Sequence, residues 1–171
     1  MEQSKFHLSL NVSNIEESLT FYEGFFQRSA DKVKDDYFKF DLNEPALTIS
    51  FVYNPKAVAS QFGHIGFRLE NDTDVFKEME RVKKLGCDVI EEKDVNCCYA
   101  RQDKFWVKDP NGYDWEVYSF HEDVEFNDPK ARNSTGDLCC TPNTKVTKPK
   151  MSIEAFKQLD RSECNPKSGC C

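Results

Sequence analysis

Hydrophobic and polar residues alternate at the start of the chain and predict its first strand. In "FHLSLNV" (residues 6–12) Phe6, Leu8, Leu10 and Val12 point to one side, and His7 points to the other with the polar residues. This period of two is typical of a strand with one buried face. His7 is therefore predicted to lie on the face opposite the core.

A helical pattern follows this strand. The Ser13-x-x-Glu16 sequence matches a capping box, which predicts that a helix begins there. Apolar residues then recur at helical spacing, at Ile15, Leu19, Tyr22 and Phe26. Apolar runs at 36–42 and 46–53 predict two more strands, with weaker strand character at 30–34.

The same order of elements restarts at residue 63. In "GHIGFRLEN" His64 shares one face with Gly66 and Arg68, and "DTDVFKEMERVKKLG" predicts a second amphipathic helix that stops at Gly86. Its predicted buried face consists of Val75, Phe76, Met79, Val82 and Leu85. The remaining predicted strands are 87–92, 98–109 and 113–120, with "DPNG" at 109–112 as the turn between the last two.

Each half of this region thus has the order β-α-β-β-β, and the fold class predicted is α+β. We expect one domain at 5–121, with module one at 5–54 and module two at 62–121. A sheet with a helix on one face leaves its other face uncovered. Two such sheets side by side would form a cleft in a barrel-like arrangement, lined by the faces that carry His7 and His64.

The composition changes after residue 121. Residues 122–171 are polar and rich in Asn, Asp, Thr and Pro, so they bury too little apolar surface to offset their ordering entropy. We expect a largely irregular, flexible tail. Within it, 151–161 predicts one short helix with Ile153, Phe156 and Leu159 on one face.

The formal net charge of −7 argues against nucleic-acid and anionic-membrane partners, which require clustered Lys and Arg. The chain shows no apolar stretch typical of a membrane span or a signal peptide. The expected location is the cytoplasm, where thiols stay reduced.

Two imidazoles and one carboxylate are the candidate metal ligands. His7 and His64 occupy equivalent positions in the first strands of the two modules, and Glu116 lies in the last strand on the matching face. This ligand set is typical of a non-haem Fe(II) site with open positions, and it also suits another borderline divalent metal. The pattern alone also fits two solvated strand histidines and an exposed glutamate. His121, placed beyond the last strand, is predicted to have no site role.

The segments "FHLSLNVSNIEESLTFYEGFF", "GHIGFRLEN" and "FWVKDPNGYDWEVY" resemble the vicinal oxygen chelate superfamily, which includes glyoxalases, extradiol dioxygenases and antibiotic-resistance proteins. The resemblance covers about residues 5–120. It implies the paired β-α-β-β-β fold and implies His7, His64 and Glu116 as metal ligands. The fourth ligand found in glyoxalases has no convincing counterpart at Thr48, Ile49 or Ser50.

Six of the eight cysteines form three adjacent pairs, where about 0.4 pairs would be expected by chance. The pair within the domain is Cys97-Cys98. The residues alone leave four interpretations open: one buried thiol beside an incidental one, a strained vicinal disulfide, a fourth iron ligand, or a chelate for a soft trivalent centre.

The pattern "NCCYA…FWVKDPNG…WE" resembles the organoarsenical C–As lyases of this superfamily, some of which are described as cadmium-induced proteins. That resemblance implies Fe(II)- and O2-dependent cleavage of the carbon–arsenic bond of a small trivalent organoarsenical such as methylarsenite, which releases inorganic arsenite. Cys97 and Cys98 would hold the arsenic. Accessory arsenic capture is predicted for the tail cysteines Cys139, Cys140, Cys164, Cys170 and Cys171.

Two other functions fit the same residues. One is another enzyme of this fold, an extradiol dioxygenase or a thiol transferase. The other is a non-enzymatic thiol-rich protein that binds arsenic or cadmium. The sequence is compatible with a monomer or a homodimer.

Overall fold

The computed structural model describes residues 4–61 and 63–126. In these two ranges the elements are, in chain order, β1 (Phe6–Val12), α1 (Ile15–Phe25), β2 (Lys32–Lys34), β3 (Tyr37–Leu42), β4 (Leu47–Tyr53), a short 3₁₀ helix (Pro55–Ala57), β5 (His64–Leu69), α2 (Asp72–Lys84), β6 (Val89–Cys97), β7 (Ala100–Lys108) and β8 (Asp114–Asp123).

The strands form two four-stranded sheets with the same topology. Their orders are β1-β4-β3-β2 and β5-β8-β7-β6, and in each the first strand runs parallel to the last. The remaining neighbours pair antiparallel. The predicted α+β fold of two β-α-β-β-β modules is confirmed.

The core lies between each sheet and its helix. In module two, Trp115 and Val117 belong to the same buried cluster as Met79 and Val82 of α2. Because side chains alternate along a strand, Glu116 projects from the opposite face of that sheet. The same alternation in module one buries Leu10 and leaves His7 on the other face.

Helix α1 joins the two modules through buried polar contacts. The Tyr22 hydroxyl donates to Asp109 Oδ2 at 2.8 Å and accepts a hydrogen bond from Trp115 Nε1 at 3.1 Å. The Arg81 guanidinium donates to the carbonyls of Gly24 and Phe25 at 2.8 and 2.9 Å. These carbonyls lie at the C-terminal end of α1, where helix carbonyls lack their full set of intrahelical bonds, and Arg81 of α2 binds them from the other module.

Two details of the helices differ from the sequence prediction. Helix α1 is capped by Asn14, whose side chain accepts from the amide of Glu17, and not by Ser13. Ser13 instead donates its amide and hydroxyl to Asn111 Oδ1 in the turn after β7. Phe76, predicted to be buried, is half exposed and stacks against the Lys93 ammonium.

The predicted helix at 151–161 lies outside the described residues, as does the tail from residue 127 onward. Strand β8 continues to Asp123, two residues past residue 121, where the sequence places the end of the domain. Within the described ranges no helix is both long and apolar enough to cross a bilayer.

Candidate metal and thiol site

His64 and Glu116 face each other on adjacent strands. His64 begins β5, Glu116 lies in β8, and the Nε2 and Oε2 atoms are 3.2 Å apart. The parallel register pairs Glu116 with Gly66, two residues after His64, so both side chains emerge on the same face. An imidazole nitrogen and a carboxylate oxygen thus converge on one point, as two ligands of one divalent metal would.

A buried lysine holds the other oxygen of this carboxylate. Lys104 of β7 has a fully buried side chain, and its Nζ lies 3.0 Å from Glu116 Oε1 and 3.5 Å from Glu92 Oε2. The ammonium also lies 5.1 Å from the centre of the Trp106 ring, a cation–π distance. Burial raises the pKa of Glu116, but His64 and Lys104 more than offset this, and its pKa lies below the usual range. Glu116 is therefore an anion at neutral pH, and its carboxylate is held between Lys104 and His64.

Gly66 allows the close approach of β5 to Glu116. A Cβ at this position would lie 2.6 Å from the Glu116 carbonyl oxygen and 3.1 Å from its Cβ. We predict that Gly66→Ala forces the two strands apart and lowers the free energy of unfolding by about 1–3 kcal/mol. Urea titration of the variant measures this. A variant as stable as the wild type would contradict the strand contact.

His7 lies apart from the His64–Glu116 pair. It lies on β1 of module one, where its Nε2 is 3.5 Å from Ser50 Oγ, and its side chain is exposed. The ligand atoms of His7, His64 and Glu116 do not all lie within 4.8 Å of one another in this structure. The structure therefore brings together two of the three predicted ligands and places the third on the equivalent strand of the other module.

A different trio does meet this distance. Asp72, Asp103 and His121 have ligand atoms within 4.8 Å of one another. The sequence placed His121 beyond the last strand, but it lies within β8, and its Nε2 is 2.7 Å from Asp72 Oδ1 and 4.0 Å from Asp103 Oδ1. Ser119 also donates to Asp72. These contacts join the first turn of α2 to β7 and β8, so the trio has a structural role as a polar cluster.

The Asp72 contacts make stability depend on pH. The Ser119 hydrogen bond, then that of His121, lowers the pKa of Asp72 in the folded protein. Because the pKa of Asp72 is lower in the folded protein, its ionised form stabilises the fold. This stabilisation is complete above about pH 4, the pKa of Asp in the unfolded chain, and is lost as the pH falls through the pKa of the folded state. We predict that Asp72→Asn weakens the acid dependence of the melting temperature below pH 4. The half-exposed carboxylate makes the effect small. Equal acid dependence in both proteins would contradict this.

The two adjacent cysteines of the domain lie at the end of a hairpin. Cys97 is the last residue of β6 and is fully buried, while Cys98 is exposed in the turn that leads to β7. The sequence placed Cys98 at the start of the following strand, but β7 begins at Ala100. The Sγ atoms are 3.6 Å apart, well beyond the roughly 2.05 Å of a bond, so the two do not form a vicinal disulfide. Cys97 is disulfide-bonded in this structure, so arsenic binding through both sulfurs concerns the reduced protein.

The turn that carries Cys98 has an unusual backbone. Cys98 and Tyr99 have φ values of +55° and +62°, and Cys97 pairs with Ala100 on either side of them. A two-residue hairpin connection with two positive φ angles is a type I′ turn, which favours Asn-Gly. A residue other than glycine in this left-handed backbone conformation costs about 1–2 kcal/mol of conformational free energy. Strain of this kind is concentrated at functional sites.

The other cysteines divide into two groups. Cys87 is buried and free, and burial raises the pKa of its thiol to about 11, so it is protonated and unreactive at neutral pH. The predicted accessory residues Cys139, Cys140, Cys164, Cys170 and Cys171 lie outside the described residues.

Comparison with known families agrees with this geometry. The profile of the Glyoxalase/Bleomycin resistance protein/Dioxygenase superfamily matches residues 6–117, nearly the whole two-module domain. The chain belongs to this superfamily. A "Probable trivalent organoarsenical cleaving enzyme" of Bacillus subtilis (strain 168) is 36% identical over 82% of this chain and 94% of its own length. The "Trivalent organoarsenical cleaving enzyme" of Bacillus sp. (strain MD1) is 34% identical over 92% and 96%.

These relatives confirm the resemblance to organoarsenical-cleaving members of the superfamily. Solved structures of the superfamily share the fold at lower identity. The lactoylglutathione lyase of Agrobacterium tumefaciens superposes with a TM-score of 0.55 at 16% identity, covering 70% of this chain and 95% of that one. That likeness concerns the fold alone.

The sequence prediction missed one important residue of the site. Lys104 sits two residues before Trp106 in a strand whose alternation places both on the Glu116 face. A lysine at an inward strand position directly before two aromatic residues, Phe105 and Trp106, was the available signal, since buried lysines are almost always paired.

Proposed function

We propose that this protein cleaves the carbon–arsenic bond of trivalent organoarsenicals with Fe(II) and O2. The observation that carries the proposal is the Cys97–Cys98 pair, whose sulfurs lie 3.6 Å apart in the module that also holds His64 and Glu116. Adjacent thiolates suit a soft trivalent centre, whereas the imidazole and carboxylate suit a borderline divalent metal. The relatives named as organoarsenical-cleaving enzymes support the same substrate class.

The residues of the metal site fit Fe(II). His64 and Glu116 already converge, and the absence of a side chain at Gly66 lets β5 approach the Glu116 backbone closely. We propose His7 as the third ligand, contributed by the equivalent strand of module one. A 2-His-1-carboxylate set leaves open positions on Fe(II), and the metal would supply the one-electron chemistry with O2 that no side chain here provides.

The protein residues have separate tasks in this proposal. Cys97 and Cys98 hold arsenic and replace its two exchangeable oxygen ligands. Lys104 fixes Glu116 through Oε1, which leaves Oε2 for the metal. The rings of Trp106 and His64 are nearly perpendicular, with centroids 5.1 Å apart, and this contact limits the rotation of the His64 ring.

The thiol pair must reach the metal along the hairpin. Six residues of β7 separate Ala100 from Trp106, which pairs with Glu116, and this is about 20 Å in a straight strand. Both ladders shift register, between Glu92 and Val95 and between Arg101 and Gln102. Such bulges bend strands. We propose that these two bulges turn the end of the hairpin toward the His64–Glu116 pair.

The reaction balances with one O2 as the oxidant. Methylarsenite and O2 contain the atoms of arsenous acid and formaldehyde, so cleavage with incorporation of both oxygen atoms gives these two products. We place this reaction in the cytoplasm, where the thiols remain reduced. The protein would act as a monomer or a homodimer.

The test loads reduced protein with Fe(II) without oxygen, adds methylarsenite and then admits O2. Arsenite is measured by chromatography with elemental detection, and formaldehyde by derivatisation. We expect both products in equal amounts. Binding of methylarsenite without any arsenite would instead identify a thiol-rich scavenger. No binding at all, with turnover of a catechol, would identify another dioxygenase of this fold.

A further inference from the structure

The face of module two's sheet that carries His64 and Glu116, here called the cleft face, also carries an arginine. Arg68 lies on β5 four residues after His64, so the alternation of the strand places both side chains on this face. The register pairs Arg68 with Tyr118, two residues after Glu116 on β8. Arg68 is exposed. A guanidinium therefore lies beside the candidate metal ligands and is open to solvent.

Arg68 differs from the other arginines of the described ranges because it has no anionic partner there. The guanidinium groups of Arg28, Arg81 and Arg101 each form an ion pair with a carboxylate. Arg68 forms no such pair with any residue that the structure describes. A guanidinium stays charged at every physiological pH, and its five N–H donors match the oxygens of a carboxylate. Arg68 thus has donors available for an anionic ligand.

The lysines of this face are already paired. Alternation along β7 places Lys104 and Lys108 on the cleft face, and each contacts a carboxylate of a neighbouring strand. An anion would have to displace these internal carboxylates to reach either lysine. Among the basic residues that the structure describes on β5, β7 and β8 of this face, Arg68 is the one that can bind an added anion without breaking an ion pair.

Phe120 holds the Arg68 guanidinium in place. Arg68 Cζ lies 4.6 Å from the centre of the Phe120 ring, a cation–π distance. Phe120 is half-buried and alternates along β8 with Glu116 and Tyr118, which places it on the same face. The ring contacts the flat side of the guanidinium and leaves the N–H groups in its plane free to donate. Because the side chain is held before a ligand binds, less rotamer entropy is lost on binding.

This arginine lies between the candidate metal ligands and the cysteine pair. Phe120 is four residues from Glu116, about 13 Å along a strand. Phe120 also pairs with Gln102, whose side-chain amide donates to the Cys97 carbonyl at 3.3 Å. A substrate that reaches from one end of this face to the other would place part of its structure against Arg68.

We propose that Arg68, Tyr118 and Phe120 form a subsite for an anionic aryl group on the arsenic of the substrate. The proposal rests on the proposed function for the presence of arsenic. The two aromatic side chains contact the aryl ring, and the guanidinium donates paired hydrogen bonds to a carboxylate on that ring. The substrate class favoured by this subsite is therefore an arylarsenite that carries a carboxylate.

The test compares two arylarsenites of nearly the same shape, 4-carboxyphenylarsenite and its neutral amide, 4-carbamoylphenylarsenite. Their affinities for the reduced, metal-free protein are measured by calorimetry in competition with a small dithiol. We expect the carboxylate to bind the wild type about tenfold more tightly than the amide, since hydrogen bonds between charged groups are the stronger ones. This advantage should shrink as salt is added, because Arg68 is exposed.

Arg68→Gln removes the charge and should reduce the advantage of the carboxylate to less than about twofold. Its affinity for phenylarsenite and for the amide should stay that of the wild type. Arg68→Lys keeps the charge without the planar guanidinium and should retain part of the advantage. The matched control is Arg28→Gln, which removes an exposed arginine of module one and should keep the full tenfold advantage. Circular dichroism checks that each variant is folded.

Titration with benzoate tests the subsite without arsenic. We expect benzoate to move the ring resonances of Phe120 in the wild type, and to move them much less in Arg68→Gln. Benzamide, which is neutral, should move them little in either protein. If the wild type binds neither arylarsenite, this titration decides, and equal shifts in the wild type and Arg68→Gln would overturn the subsite.

Equal affinity of the wild type for the carboxylate and the amide, or a tenfold advantage that persists in Arg68→Gln, would also overturn the subsite and leave the proposed function intact. Failure of the wild type to release arsenite in the presence of Fe(II) and O2, with the carboxylate advantage preserved, would overturn the proposed function alone.

Discussion

Replacing Glu116 with Gln is expected to abolish metal binding and to destabilise the fold at the same time. The carboxylate faces His64 through one oxygen and the buried Lys104 ammonium through the other. The amide is a poor ligand for a divalent metal, so affinity for Fe(II) should fall at least about 100-fold, more than the loss typical of an outer-shell change. Turnover would be lost with it.

The stability effect comes from Lys104. Its side chain is fully buried, and Glu92 at 3.5 Å would be its one remaining anionic partner among the described residues. Breaking a buried ion pair from one side costs about 3–5 kcal/mol when the remaining charge is uncompensated. With Glu92 present we expect a loss of about 2–4 kcal/mol in the free energy of unfolding.

His64→Gln is the matched control for these two effects. It removes the imidazole ligand but leaves the Lys104–Glu116 contact in place. We expect it to lose metal affinity to a similar extent and to change the free energy of unfolding by less than about 1 kcal/mol. Metal binding is measured anaerobically by calorimetry, and stability by urea titration of the metal-free proteins. Equal stability losses in both variants would show that Lys104 does not depend on Glu116.

The paired-module fold was predictable because its signals are local. The period-two runs at β1 and β5 and the helical spacing of α1 and α2 are carried by consecutive residues, and Gly86 with φ +83° ends the second helix where predicted. The prediction of Ser13 as the first helix cap was wrong because the local sequence does not decide between two suitable residues. Ser13 and Asn14 both suit an N-cap, and a contact across 98 residues, to Asn111, decides between them.

The candidate site was only partly predictable because its contacts are not local. Lys104 and Glu116 meet through the β7–β8 ladder, and the aromatic neighbours of Lys104 indicate its burial but not which carboxylate it pairs with. His121 was predicted to lie beyond the last strand but lies within β8. The end of a strand is set by its pairing partners and not by a change in hydrophobic pattern. The turn at Cys98 was missed for the opposite reason, because its residues lack the Gly and Asn that normally mark such a turn.

Replacing Cys98 with Ala is expected to abolish arsenical capture and leave the rest of the protein intact. Cys98 is exposed in the turn, so its loss should change the free energy of unfolding by no more than about 0.5 kcal/mol. Metal affinity should stay the same, since Cys98 lies in the β6–β7 turn and is not one of the proposed metal ligands. Phenylarsenite affinity should fall at least 100-fold, because one sulfur is left where two bound arsenic together.

Cys87→Ala is the control that distinguishes the loss of one member of the Cys97–Cys98 pair from the loss of any one thiol. Cys87 is buried with a thiol pKa of about 11, so at pH 7 almost none of it is the reactive thiolate. Its replacement removes the same chemical group, costs about 1 kcal/mol of stability through lost packing, and should leave phenylarsenite affinity unchanged. Affinity is measured on reduced protein at pH 7. If Cys98→Ala still binds phenylarsenite as tightly as Cys87→Ala, arsenic is held elsewhere, and the choice of an arsenic substrate loses its structural basis in this domain.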